Sequence, residues 1–396
     1  MTTGVTAPRG FRAAAVAAGI KPDGPDLAIV AADGPCAAAA VFTTNRAEAA
    51  PVRVSREHLS SGRARAVVIN AGCANAATGE AGVRDARGMA EAVGRALGCT
   101  PEEVVVASTG VIGVALPMEK VRRGIASAAT RLSVDGGAAA AQAILTTDTR
   151  PKEVVVEFAV GGPAARVGAM AKGAGMIAPR MATMLAVFTT DVAIEGPLLR
   201  RALVEAVGDS LNRITIDGDT STNDMAVILA SGAAGTPAIR EEGRGYDAFR
   251  GALASSARRI AEMLVRDGEG ATRVAEVRVE GARSGAEADR IARTIAESPL
   301  VKTALHGGDP NWGRILAAVG RAGVDLDPGG IDLWIGDVWV AQGGSARDYS
   351  EDAAAAAMGE DPVRLRVRLR EGTASGWMWT TDLTRGYVDI NAHYRS

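Results

Sequence analysis

Two short runs decide the fold class, Arg65-Ala-Val-Val-Ile-Asn70 and Glu103-Val-Val-Val-Ala-Ser108. Each is a β-rich apolar stretch of strand length, which reads as a buried strand. Each runs into a glycine-containing loop, Ala71 to Gly79 and Thr109 to Gly113. After the second loop the period becomes helical: Pro117 opens a helix whose apolar residues Val121, Ile125, Ala128 and Leu132 share one face. Leu199, Leu203, Val207 and Leu211 mark another amphipathic helix and Phe249, Leu253, Ile260 and Leu264 a third, while Ser284 with Glu287 makes a capping box for a fourth. Glu153 to Val160 and Val187 to Asp191 read as further strands. The expected class is therefore α/β or layered α+β. No fixed-period repeat, low-complexity linker or heptad seam occurs, and continuity is weakest around Gly161 to Gly175.

The 396 residues suffice for two or three domain-sized units, and 47% hydrophobic with 23% charged residues excludes disordered and fibrous classes. A net charge of −2 without a long block of one sign leaves no electrostatic footprint for nucleic acid. Cys36, Cys73 and Cys99 are too few and too scattered for a disulfide framework or a cysteine-rich zinc site, which fits a reducing compartment. The apolar stretch between Arg12 and Lys21 is short and Ala/Gly-rich, and no run of ~20 apolar residues follows. The expectation is a cytoplasmic protein with no membrane partner.

Only His58, His306 and His393 are present, none in a zinc-ligand spacing, and there is no GxSxG elbow. No metal is expected. Asp217 to Asp224 imitates a calcium loop, but Thr222 stands where glycine is needed and Ile228 where a bidentate Glu is needed. It reads instead as a turn locked by its own Asp, Ser, Thr and Asn side chains. The run Lys172-Gly-Ala-Gly-Met-Ile-Ala-Pro-Arg-Met-Ala182-Thr183-Met-Leu185 matches neither phosphate-binding spacing. Within it Thr183 has two readings. If the chain were cut before it, its free α-amine could serve as the base for its own hydroxyl; otherwise it is a strand-entry threonine bonded to backbone.

The same run closely resembles the self-cleavage site of the ornithine acetyltransferase (glutamate N-acetyltransferase) family. Further segments agree in order: Ser108 to Gly113, Thr146 to Thr149 with Pro151-Lys152, Asn212 to Asp224, Asp267 to Thr272, Val301 to Ala304 with Gly308 to Arg314, and Asp382 to Thr384 with Tyr387 and Asn391. The resemblance spans almost the whole chain. It implies a layered two-domain fold cut between Ala182 and Thr183 into an α chain (1–182) and a β chain (183–396), assembled as an α2β2 heterotetramer. It also implies that Thr183 is the nucleophile, that Thr109 and Gly110 form the oxyanion hole, and that Thr146, Lys172, Thr183, Glu269, Asn391 and Ser396 bind the amino-acid substrate. The implied reaction moves acetyl from N2-acetyl-L-ornithine to L-glutamate through an acetyl-threonine, in arginine biosynthesis, with no cofactor and with acetyl-CoA as a second donor in bifunctional members. Asp309 and Trp312 read as structural. Ala71 and Cys73 depart from the family's more polar Asn-Ser-Gly-Asn-Ala-Asn loop, and Ser396 stands where Thr is more usual. These departures bear on substrate preference, including a paralogue acting in secondary metabolism. An N-terminal-nucleophile amidase or aminopeptidase is the rival class, and a binding protein with an internal Thr183 the non-enzymatic one.

Overall fold

A computed structural model describes residues 3–178 and 184–393. Contacts divide them into two compact units, 3–212 with 219–264, and 213–218 with 265–393. The strands of the first unit are β1 (Phe11–Val16), β2 (Leu27–Phe42), β3 (Arg63–Cys73), β4 (Val104–Val111), β5 (Lys152–Ala159), β6 (Ala164–Lys172) and β7 (Leu185–Thr190); β8 (Ile214–Thr215) belongs to the second unit, and β9 (Met225–Ala230) returns to the first. The described strands of this sheet run in the order β4-β3-β2-β9-β7-β6-β5, with β1 paired to β2. The β3–β4 and β7–β9 pairs are parallel and the others antiparallel.

The two deciding runs are neighbours in this sheet, with Val67 opposite Val105 and Ile69 opposite Ala107. Their side chains alternate between two cores. Val67, Ile69, Val105 and Ala107 pack with α4 (Gly137–Ala143), whereas Ala66, Val68, Val104 and Val106 pack with α2 (Gly79–Leu97) and α3 (Met118–Ala129). A strand covered on both sides has no polar face, which is why these runs show no alternation. The interruption Gly34-Pro35 in β2 coincides with a register shift between Ala31 and Cys36, beyond which the strand pairs with β9.

Strand β4 is an edge, and α1 (Ala50–His58) covers it. Ser55 Oγ donates to the Val106 carbonyl and accepts from the Val106 amide, both at 2.7 Å. His58 Nδ1 donates to the Val104 carbonyl at 2.8 Å. Two side chains thus stand in for the missing neighbouring strand. Gly161 to Gly175, where sequence continuity is weakest, is no boundary: Ala164–Lys172 is β6, hairpin partner of β5 and inside the sheet. The unit divisions fall instead near 212, 218 and 264, and residues on both sides of position 183 supply strands to the first sheet.

The remaining helices of the first unit are α5 (Gly196–Gly208) and α6 (Arg244–Arg266), the latter ending in the second unit. That unit carries β10 (Val274–Ala282), β11 (Asp332–Ile335), β12 (Val338–Gln342), β13 (Ser345–Ala346), β14 (Val363–Arg368) and β15 (Ala374–Thr381), ordered β13-β12-β11-β14-β10-β15-β8. Helices α7 (Gly285–Ala296), α8 (Pro299–Gly307) and α9 (Trp312–Gly320) place Ile291, Ile295, Val301, Leu305 and Ile315 over Val277, Val279, Leu333 and Val367. Ser284 caps α7 by accepting from the Glu287 amide, one half of the expected box. Asp309 accepts from Asn311 Nδ2 at 3.0 Å and Trp312 packs against the core, both structural roles. Helices α10 (Glu351–Ala357) and α11 (Arg385–His393) complete the described fold.

Removing the Ser55 hydroxyl strands both Val106 backbone groups in the interior. Ser55→Ala is expected to lower stability by about 1–3 kcal/mol, read as a shift in the urea-unfolding midpoint with an unchanged slope.

Candidate active site

The loops after β3 and β4 build one wall of the site. Gly110 has φ +125°, and a Cβ there would lie 2.4 Å from the Gly72 carbonyl carbon and 2.7 Å from the Cys73 nitrogen. Only glycine allows that approach. The ladder breaks register here, with Cys73 opposite both Thr109 and Val111. Such a bulge turns backbone groups out of the ladder beside the Thr109 side chain. A buried amide network fixes the loops from behind. Asn70 Nδ2 donates to the Cys73 carbonyl at 2.8 Å, Ser108 Oγ donates to Asn70 Oδ1 at 2.6 Å, and Asn223 Nδ2 donates to the carbonyls of Ala74 (2.6 Å) and Ser108 (2.9 Å). Ala71 and Cys73, the two departures from the family loop, are both buried beside this network.

Lys172 ends β6 and is 8% exposed, so it is no solvated loop charge. Its Nζ donates to Thr146 Oγ1 at 2.7 Å and Thr109 Oγ1 at 3.3 Å. A hydroxyl that accepts from an ammonium keeps its own proton for another acceptor. The lysine therefore orients two hydroxyl donors as well as contributing charge. Behind it Asp148 accepts from Lys152 Nζ at 2.7 Å, the Gly173 amide at 2.6 Å and the Thr146 amide at 3.1 Å, and stands 3.8 Å from Lys172 Nζ. Burial by itself would raise this carboxyl, but Lys172, Lys152 and the Gly173 amide outweigh it and hold it at about 2. Two ammonium groups thus lie beside one carboxylate at this end of the sheet.

In the second unit Glu269 and Asn391 come together, Asn391 Nδ2 donating to Glu269 Oε2 at 2.7 Å. Gly270, φ +64°, lets α11 approach so closely that a Cβ would lie 2.3 Å from the Tyr387 nitrogen. Thr384 Oγ1 donates to the Gly270 carbonyl at 2.7 Å, and Asp382 accepts from Thr272 N–H (2.8 Å), Thr272 Oγ1 (2.5 Å) and Arg273 N–H (3.1 Å). The segments Asp267 to Thr272 and Asp382 to Thr384 are thus two halves of one staple that sets Glu269.

The sequence singled out Thr109, Gly110, Thr146 and Lys172, which converge in the first unit, and Glu269 with Asn391, which meet in the second. Ala182, Thr183 and Ser396 lie outside the described residues. Sequence reading missed Asp148 and Lys152 although both sit in quoted motifs. Their signal was an acid and a base four residues apart. It also missed the loop-pinning Asn70, Ser108 and Asn223. Within the Asp217 to Asp224 turn Ser221 Oγ accepts from the Asn223 amide as expected, while Thr43, Asn45 and Thr215 from outside it bond the backbone of Ser221, Thr220 and Gly218.

Comparison with known proteins gives the assignment. The sequence model of the ArgJ family matches residues 12–396. The chain belongs to the ArgJ family. It is 50% identical to the "Arginine biosynthesis bifunctional protein ArgJ" of Symbiobacterium thermophilum, over 99% of this chain and 98% of that protein. It is 46% identical to the protein of the same name from Thermosynechococcus vestitus, over 100% and 98%. The crystal structure of the Bacillus halodurans protein of that name matches with a TM-score of 0.52 at 43% identity, covering 54% of this chain and 100% of its own. The chain is therefore an acyltransferase of arginine biosynthesis, with the mixed α/β fold its sequence led one to expect. Among the described residues no helix is long and apolar enough to cross a membrane.

Asp148 titrates near 2 when folded and near 3.8 when not, so the folded state binds fewer protons in between. The stability this contributes is present above pH ~4 and is lost as pH falls towards 2. Asp148→Asn removes the carboxylate that two buried lysines share and is expected to cost about 3–5 kcal/mol near neutral pH, measured by chemical denaturation, and to flatten the acid limb of the stability profile.

Proposed function

We propose that this chain moves acetyl from N2-acetyl-L-ornithine to L-glutamate through an acetyl-Thr183 intermediate, after cutting itself between Ala182 and Thr183. The observation that carries this reading is the buried Lys172, bonded to the hydroxyls of both Thr109 and Thr146. Acetyl transfer between amines passes through two tetrahedral intermediates, and each needs donors aimed at its oxyanion. The Thr109 hydroxyl, oriented by Lys172, and the Gly110 N–H supply them in this reading. Lys172 takes the substrate α-carboxylate, Thr146 its neighbouring polar contact, and Glu269, set by Asn391, the amino group. Ser396 joins the same substrate set, with serine in place of threonine leaving a hydroxyl at the position.

Self-cleavage answers the lack of a histidine base, since the freed Thr183 amine then takes the proton of its own hydroxyl. The solved Bacillus halodurans chain supports it: the 54% of this chain that it covers is the share residues 183–396 make of the whole. On this reading residues 1–182 and 183–396 are separate chains that pair twice, as α2β2, in the cytoplasm. No cofactor takes part, and the relatives' name "bifunctional" supports acetyl-CoA as a second acetyl donor.

Intact mass under denaturing conditions is expected to show two fragments meeting at Ala182 and Thr183 in the wild type and one uncut chain in Thr183→Ala. An uncut wild type overturns the reading. Ornithine release from N2-acetyl-L-ornithine is expected to require glutamate; release without it would make the enzyme a hydrolase. In cleaved enzyme, Thr109→Val is expected to lower kcat by ~10²–10³-fold with a smaller change in KM.

A further inference from the structure

Lys21 belongs to none of the motifs quoted for the substrate site, yet the fold delivers it there. The segment between β1 and β2 is wound around one buried carboxylate. Asp26 accepts from the amides of Ala18 (2.6 Å), Ile20 (2.5 Å) and Lys21 (2.9 Å). Its own carbonyl accepts from the Ala71 amide at 2.8 Å, which fastens the segment to β3 near its end. From α3, Lys120 Nζ donates to the Gly19 carbonyl at 2.7 Å. Three amides bonded to one carboxylate leave the Lys21 backbone little freedom.

Two contacts place the side chain. Lys21 Nζ donates to the Leu145 carbonyl at 3.1 Å. The next residue is Thr146, whose hydroxyl accepts from Lys172 Nζ at 2.7 Å, so the two ammonium groups are held on consecutive residues. On its other side Lys21 packs on Gly72, where a Cβ would lie 2.9 Å from Lys21 Cγ and 3.3 Å from Lys21 N. Gly72 is also the residue against which Gly110 is pressed. Lys21 therefore touches both sides of the first unit's site, the Thr146 segment and the Gly72–Gly110 approach. An ammonium has three protons to donate. The Leu145 carbonyl takes one, and Lys21 Nζ has no second hydrogen-bond partner among the described residues. Burial lowers the pKa of this lysine and the charge of Lys172 adds to that, with Asp26 and Asp148 opposing. A carboxylate brought to Nζ offsets the cost of holding its charge there.

We propose that Lys21 is the specificity-determining residue for the acceptor and binds the side-chain carboxylate of L-glutamate. The proposal rests on the reading above in which glutamate is the acceptor and Lys172 takes the α-carboxylate. Of the amino acids in that reading only glutamate carries a second carboxylate, and the two lysines present one cation to each. Ornithine and its acetyl derivative carry a side-chain ammonium instead, which gains nothing from Lys21. A fixed cation here favours glutamate over its neutral isostere glutamine, whose amide loses the charge-assisted bond.

The test is acceptor preference in the cleaved enzyme. Acetyl transfer from N2-acetyl-L-ornithine to glutamate and to glutamine is compared as kcat/KM for wild type, Lys21→Gln and Lys21→Arg. Lys21→Gln keeps an N–H donor for the Leu145 carbonyl but removes the charge; Lys21→Arg keeps both. Wild type is expected to prefer glutamate. Lys21→Gln is expected to lose ~10–10²-fold of that preference, chiefly through KM for glutamate, and Lys21→Arg to retain most of it. A glutamate-to-glutamine ratio unchanged in Lys21→Gln overturns the proposal, because a lysine that only braces the Leu145 carbonyl affects both acceptors alike. So does a wild type indifferent between the two. Should Lys21→Gln not fold by circular dichroism, the wild-type ratio measured against pH decides. It is expected to fall as Lys21 loses its proton, since the α-carboxylate and α-amine are common to both acceptors, and a ratio constant through the alkaline titration of lysine overturns the proposal. A wild type that transfers acetyl to neither acceptor overturns the transferase reading beneath it, an outcome distinct from all of these.

Discussion

The carboxylate of Asp148 is the contact on which the first unit's site depends. It lies fully buried between Lys152, at the start of β5, and Lys172, at the end of β6, and it also takes the amides of Thr146 and Gly173. One anion therefore fixes a loop, a hairpin and the lysine that reaches Thr109. A buried carboxylate between two ammonium groups needs further hydrogen bonds to offset its desolvation, and the amides of Thr146 and Gly173 supply them here.

A second constraint is steric. The backbones of Gly72 and Gly110 approach too closely for any side chain at Gly110, and the resulting bulge breaks the ladder where Thr109 must face Lys172. Asn70, Ser108 and Asn223 hold that arrangement through neutral hydrogen bonds in the interior, where such networks confer rigidity when fully satisfied. The site is thus built on strand ends, the most precisely held parts of the sheet, and polar residues well apart in the chain meet there because the strands bearing them are neighbours. The second unit repeats the device with Asp382, whose bonds to Thr272 and Arg273 set the turn carrying Glu269.

Loop 219–225 combines both themes. Its Asn223 side chain donates to the carbonyls of Ala74 and Ser108 and its Thr220 hydroxyl to that of Ala178, its Met225 amide donates to the Met184 carbonyl, and Thr43 Oγ1 donates to its Ser221 carbonyl. A loop that acidic resembles a cation site in sequence. In the fold Thr220, Ser221 and Asn223 are bonded to backbone, and burial pushes the carboxyl of Asp224 well above the usual carboxylate range.

The sequence by itself determined the class of fold and the identity of most site residues. Arg65 to Asn70 and Glu103 to Ser108 carry continuous apolar runs because both faces of β3 and β4 are covered, and that pattern survives in one dimension. Helical period likewise marked α3, α5 and α6, and the ordered motifs named Thr109, Gly110, Thr146, Lys172, Glu269 and Asn391. What tertiary structure decided is which polar groups meet and in what protonation state. Asp148 and Asp224 are the same residue type in similarly polar segments. One is held at about 2 by two lysines, and the other is pushed well above the usual carboxylate range by burial. Charge in a protein interior depends on burial and on neighbours distant in the chain, and neither is written in local sequence.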